Sequence, residues 1–158
     1  IMVVLFGGSF DPFHNGHLAI ISTLFKQIDL SRLIIVPNYQ NPLKNYMISS
    51  TQHRYEMLNQ VCQSYFSDMP YEVSTFEIKA TRPSRTIDTV THFLHEFQVE
   101  RIGLVIGADN FFSFHLWKSF KQLLTMVQLW VIPRDCDFYE SFNSYATNTL
   151  STSFADNI

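Results

Sequence analysis

The sequence predicts an α/β protein built as a single doubly wound parallel sheet. Three observations carry this. Short β-rich runs alternate with longer stretches of helical period, the runs are apolar on both faces, and a glycine-rich turn joins the first run to the first helix. A strand buried on both faces needs helices above and below it, and the alternation supplies them.

The first strand is "MVVLF", residues 2–6. The helix after it starts at about Gly16 and sets Leu18, Ile21, Leu24, Phe25 and Ile28 on one face. "RLIIVP" is the second strand, and the polar loop "NYQNPLKNYMISS" leads to a helix from about Thr51 to Phe66 with Leu58, Val61, Cys62 and Tyr65 as its stripe. "YEVSTFEI" reads as a third strand. "TRPSRT" then breaks the chain, and Thr86 opens a helix carrying Ile87, Val90, Leu94 and Phe97. Strand "IGLVIGA", a helix from about Asn110 to Leu124 and strand "VQLWVIP" follow. Beyond Arg134 the periodicity dissolves into polar, Ser/Thr-rich sequence, so 134–158 is expected to be irregular or incomplete.

With 158 residues the chain has the length of one domain, 1–158. A hydrophobic fraction of 46% and a charged fraction of 16% are those of a globular protein rather than a disordered one. A net charge of −3 without a long basic run excludes a nucleic-acid polymer as the expected partner. Neither a membrane span nor a signal peptide is legible, so no membrane partner is expected and the expected location is cytoplasmic. Cys62 and Cys136 have no C-x-x-C spacing and read as reduced thiols.

In a sheet of this kind ligands bind beyond the carboxyl ends of the strands, which directs attention to the strand-to-helix loops. The first is "GGSFDPFHNGH", residues 7–17. Two histidines without H-E-x-x-H or a nearby cysteine supply too few ligands for a zinc site, and no metal-ligating residues are assigned. Taken alone, Gly7, Gly8 and Gly16 could be turn residues and the histidines surface polar groups. Their place between a strand and a helix favours a phosphate cradle, because bare backbone N–H groups and a helix N-terminus both attract anions. Neither the P-loop nor G-x-G-x-x-G spacing is present, so His14 and His17 stand where a P-loop lysine would, as N–H donors. Asp11 and Pro12 read as a turn that aims Phe13 and His14.

These residues resemble the signature loop of the H-x-G-H nucleotidyltransferases, in particular bacterial nicotinate-nucleotide adenylyltransferases. The blocks "PSRTIDTVTHFL" and "IGADNFFSFHLWKSFKQLL" are similar to that family's own, and the likeness covers about residues 3–134. The resemblance implies a Rossmann-like nucleotidyltransferase fold. It also implies transfer of AMP from ATP to nicotinate mononucleotide, giving nicotinate adenine dinucleotide and pyrophosphate in NAD biosynthesis. Nicotinamide mononucleotide or phosphopantetheine as acceptor, and a nucleotide-binding module that has lost catalysis, are the alternatives. Mg2+ is expected to arrive with ATP, and homo-oligomerisation is left open.

By the same resemblance His14 and His17 are catalytic and hold the ATP phosphates, His17 making the transition-state contact. Gly8, Ser9, Phe10, Gly16, Gly107, Asp109 and Arg134 complete the ATP site, with Asp109 accepting from a ribose hydroxyl. Lys44, Arg54, Arg85, Thr86 and Trp117 are the expected contacts of nicotinate mononucleotide. Trp117 would stack on the pyridine ring, and the backbone N–H groups around Arg85 and Thr86 would read its carboxylate. Two departures stand out: Arg85 replaces a common tyrosine and Leu43 a common histidine. "ISSTQHR", residues 48–54, mimics a late phosphate motif but precedes the third strand, which makes Ser50 or Thr51 a helix cap. The late motif itself is best matched by "LSTSFADNI", with Ser151, Thr152 and Ser153 in place and Asp156 where arginine is expected. A cut chain or a weakened triphosphate grip is the expectation there.

Overall fold

Val3, Val4, Leu5 and Phe6 are all buried, so β1 (Met2–Gly8) is covered on both of its faces. The computed structural model describes residues 2–39, 50–80, 85–133 and 138–150. The chain divides into two compact units, Ile1–Ser84 and Arg85–Ile158. No helix among the described residues is long and apolar enough to cross a membrane.

In the first unit β1 pairs in parallel with β2 (Leu30–Pro37), from Val3 opposite Arg32 to Gly8 opposite Pro37. β2 pairs in parallel with β3 (Tyr71–Val73). Parallel neighbours need a crossover, and α1 (Asn15–Gln27) and α2 (Thr51–Phe66) follow β1 and β2 in the chain. Ile21 and Leu24 are the buried residues of α1. Ser50 caps α2, its Oγ accepting from the His53 N–H at 3.1 Å. The buried stripe of α2 is Arg54, Leu58, Cys62 and Phe66, an i, i+4 series; Tyr65, expected on it, is exposed. Burial pushes the free Cys62 thiol up to about 11, which makes it inert at neutral pH.

The third strand is shorter than "YEVSTFEI" suggests. Ser74 donates its backbone N–H to Ile35 O, and its Oγ then accepts from the Phe76 N–H at 3.1 Å. This local bond turns the chain out of the sheet and into a single helical turn, α3 (Phe76–Lys79).

In the second unit α4 (Thr86–Phe97) buries Ile87, Thr89, Val90 and Phe93 and ends at Gln98, whose φ of 51° is left-handed. β4 (Ile102–Gly107) pairs in parallel with β5 (Val127–Ile132), Ile102 opposite Val127 and Gly107 opposite Ile132. The helix expected over 110–124 is three pieces: α5 (Ala108–Phe111), a 3-10 turn (Phe114–Leu116) and α6 (Phe120–Met126). Phe111, Phe114, Trp117 and Phe120 recur every third residue. That spacing drifts off one face of an α-helix but eclipses in three-residue turns. An extended Trp117 and a left-handed Ser119 (φ 56°) complete the break.

The expectation of an irregular segment after Arg134 is corrected over 138–148. α7 (Phe138–Asn148) is a regular helix that buries Phe138, Phe142 and Ala146, and Phe142 stacks on Phe111 with centroids 4.9 Å apart. Tertiary burial of that aromatic edge overrides the poor helix propensity of its serines and asparagines.

Candidate functional site

The glycine and histidine loop leaves β1 at Gly8, whose carbonyl accepts the Asn38 N–H at 3.0 Å. Gly8 sits beneath an aromatic ring: a Cβ there would lie 3.3 Å from Phe10 Cζ. Phe10 is buried with φ 48°, a conformation that residues other than Gly, Asn and Asp rarely hold. Ser9 is half-buried, and a cis Asp11–Pro12 peptide follows. This arrangement turns the chain sharply before α1 begins.

His14 is the N-cap of α1, and the two histidines cap the helix reciprocally. The Gly16 N–H donates to His14 Nδ1 at 3.1 Å, and the His14 N–H donates to His17 Nδ1 at 3.1 Å. An acceptor nitrogen carries no proton, so in each neutral ring the proton is on Nε2. The helix start thus fixes both imidazoles as Nε2–H donors. Gly16 is required for this, since a Cβ there would stand 2.8 Å from His14 Cε1 and 2.9 Å from Nδ1.

His17 is packed among rings. Phe10 meets it edge-on with centroids 4.9 Å apart, Phe13 lies at 5.3 Å, Phe6 at 6.4 Å, and His14 stacks on it at 3.7 Å. Burial, helped by the neighbouring His14, lowers its pKa to about 4. At neutral pH His17 is an uncharged donor. Phe10 and Phe13 as walls of a histidine pocket are missed by reading the loop alone; their signal is the spacing Phe6, Phe10, Phe13 ahead of His17.

Arg54, expected to meet a substrate phosphate, is fully buried instead. Its Nη1 donates to Ser9 O at 2.6 Å and its Nη2 to Asn38 O at 2.7 Å and Tyr39 O at 3.2 Å. Position 54 belongs to the buried stripe of α2, so its guanidinium is committed to backbone carbonyls of the loops after β1 and β2. Lys44 and Arg134 lie outside the described residues, as do Cys136, Ser151, Thr152, Ser153 and Asp156.

In the second unit Gly107 ends β4 and is the N-cap of α5; a Cβ there would meet nothing within 4 Å. Asp109 follows in the first turn, exposed, so the capping role belongs to Gly107. Trp117 is half-buried in the extended link after the 3-10 turn, its ring 4.8 Å from Phe114, rather than inside a helix. Arg85 is the exposed N-cap residue of α4 and Thr86 its first residue. A shallow depression of about 470 Å3, lined by Phe112, Glu140, Ser144, Tyr145 and Asn148 among others, contains none of the expected site residues. Among the described residues no three His, Cys, Asp or Glu side chains converge as a metal-holding group.

A model of the cytidylyltransferase-like family matches residues 5–155. A Leptospira interrogans protein named "Probable nicotinate-nucleotide adenylyltransferase" is 32% identical over 158 residues, covering 99% of this chain and 78% of that protein. The chain belongs to the nicotinate-nucleotide adenylyltransferase family. A second member, from Sulfurimonas denitrificans and of the same printed name, is 38% identical over 133 residues, covering 84% of this chain and 70% of its own. The nicotinic acid mononucleotide adenylyltransferase of Plasmodium falciparum, solved in complex with NaAD, superposes with a TM-score of 0.72 at 15% identity. It covers 87% of this chain and 69% of that one. This adenylyltransferase therefore has the Rossmann-like α/β nucleotidyltransferase fold.

Proposed function

We propose that this adenylyltransferase transfers AMP from ATP to nicotinate mononucleotide, yielding nicotinate adenine dinucleotide and pyrophosphate on the route to NAD. The observation that carries the reading is the reciprocal cap, in which each Nδ1 accepts and each Nε2–H is left to donate at the start of a helix. The 5′-phosphate of the acceptor has a second pKa of about 6 and arrives largely ionised, so the attacking oxygen needs no general base. One of its oxygens forms the new bond to the α-phosphorus, and the bond from α-phosphorus to the bridging oxygen breaks as pyrophosphate leaves. Catalysis then consists of holding two polyanions in line and stabilising the charge that builds on the α-phosphate.

His14 and His17 are assigned to the ATP phosphates, with His17 at the transition state, and Gly8, Ser9, Phe10 and Gly16 to the backbone cradle around them. Gly107 and Asp109 are assigned to adenosine, Arg134 to the ATP site, and Lys44, Arg85, Thr86 and Trp117 to nicotinate mononucleotide. Mg·ATP is the substrate form, the cation being held by phosphate oxygens and water. A single family model spanning residues 5–155 supports treating 1–158 as one nucleotidyltransferase domain. The test is transfer of label from α-phosphate-labelled ATP into a dinucleotide when nicotinate mononucleotide is supplied. Label appearing only as AMP would overturn the assignment.

A further inference from the structure

We infer that Arg54 is a positioning residue, whose buried guanidinium sets the Ser9–Phe10 backbone and through it the environment of His17 and the grip on ATP. The inference rests on the function proposed above for its catalytic part. Its structural part stands on bonds within the first unit.

Arg54 Nη1 holds the Ser9 carbonyl at 2.6 Å while Nη2 holds those of Asn38 and Tyr39, with Thr51 Oγ1 at 3.4 Å. One guanidinium therefore ties the loop after β1 to the loop after β2. A trans peptide directs its C=O and N–H to opposite sides, so fixing Ser9 O on Arg54 turns the Phe10 N–H away from it. The next residue is the strained one: Phe10 holds φ 48° while wholly buried. Such a conformation persists only where its surroundings over-determine it, and the bond to the preceding carbonyl is one such constraint. Phe10 in turn presents its ring to His17 at 4.9 Å.

Stability alone is a poor account of this arginine. Burial of a cation costs solvation, and among the described residues Arg54 Nε has no hydrogen-bond partner. The charge of Asp11 opposes the lowering that burial imposes on the Arg54 pKa. Lysine, a single Nζ without the planar fork, cannot reproduce the contacts that diverge from Nη1 and Nη2.

Two variants, Arg54→Met and Arg54→Lys, test the inference in the full chain. Steady-state kinetics should separate KM for ATP from KM for nicotinate mononucleotide, and NMR of the imidazole nitrogens should follow the titration of His17. In folded variants kcat/KM for ATP should fall by on the order of 100-fold while KM for nicotinate mononucleotide stays near wild type. His17 should titrate closer to its ordinary value as Phe10 relaxes. Should Arg54→Met fail to fold, Arg54→Lys carries the same two readouts. A rise confined to KM for nicotinate mononucleotide would make Arg54 a direct ligand, and an unchanged His17 titration would make it structural only; either overturns the inference. If the wild-type protein shows no transfer, the proposed function fails, while the His17 titration still decides the role of Arg54.

Discussion

The imidazoles of His14 and His17 lie 24° from parallel with centroids 3.7 Å apart, and each Nδ1 accepts a backbone N–H from the loop and first turn of α1. The pair is therefore both a helix cap and a pair of oriented donors. A P-loop meets phosphate with a lysine charge; on the function proposed above the two oriented imidazoles take that part, and the aromatic pocket keeps His17 uncharged.

Removing the His17 donor should cost catalysis more than stability. His17→Ala is expected to lower kcat by roughly 100-fold to 1000-fold, the usual loss for one preorganised donor at a developing charge. Circular dichroism should show the fold intact. Near-normal turnover would remove His17 from the transition state.

Stability should depend on pH through the same ring. His17 titrates at about 4 in the folded protein against an ordinary value of 6.5, so between those values the unfolded chain binds more protons. Its contribution is complete above about 6.5 and is lost as pH falls towards 4. Denaturant midpoints across that window should fall more steeply for wild type than for His17→Gln, which cannot titrate. Parallel profiles would contradict the buried, neutral ring.

Gly16→Ala should affect activity more than stability. Alanine in a helix favours folding by about 0.5–1 kcal/mol over glycine, and the backbone at Gly16 has no positive φ to prevent it. The new Cβ would nevertheless fall 2.8 Å from His14 Cε1, so the ring must swing away and its cap is lost. Loss of that cap costs about 0.5–2 kcal/mol and offsets the gain, so the expected result is a melting temperature near or below wild type, with weaker ATP binding by calorimetry. Unchanged binding would show that the His14 pose is dispensable.

Arg85, one of the two positions where the family resemblance implies a different residue, stands exposed at the N-cap of α4. An arginine there can pair with the nicotinate carboxylate, as a tyrosine cannot. Arg85→Ala is expected to narrow the preference for nicotinate over nicotinamide mononucleotide, read as the ratio of their kcat/KM values. A constant ratio would leave acid recognition to the backbone.

β1, β2 and β4 were legible because burial on both faces leaves an apolar run that no surface element shares, and β5, half-buried along much of its length, still lies on the apolar run "VQLWVIP". Short polar competition was harder to see. A single Ser74 hydroxyl ends β3, and three-residue aromatic spacing breaks the helix before α6. α7 hid behind serines and asparagines, although Phe138, Phe142 and Tyr145 already repeat at helical spacing. In the loop, the residue types suggest a phosphate cradle, whereas the tautomers of His14 and His17 and the Phe10 wall exist only once the chain has turned. The charge of Arg54 suggests a phosphate contact, whereas its spacing tells where the side chain sits. Its four-residue spacing from Leu58, Cys62 and Phe66 marks it as interior, and only the folded loops show which carbonyls it serves.

The most direct measurement is pyrophosphate release with Mg·ATP and, in separate reactions, nicotinate mononucleotide, nicotinamide mononucleotide and phosphopantetheine. Rapid release with nicotinate mononucleotide, much slower release with the amide and none with phosphopantetheine is the predicted pattern. ATP binding without release from any of the three, or phosphopantetheine as the preferred acceptor, would contradict the account.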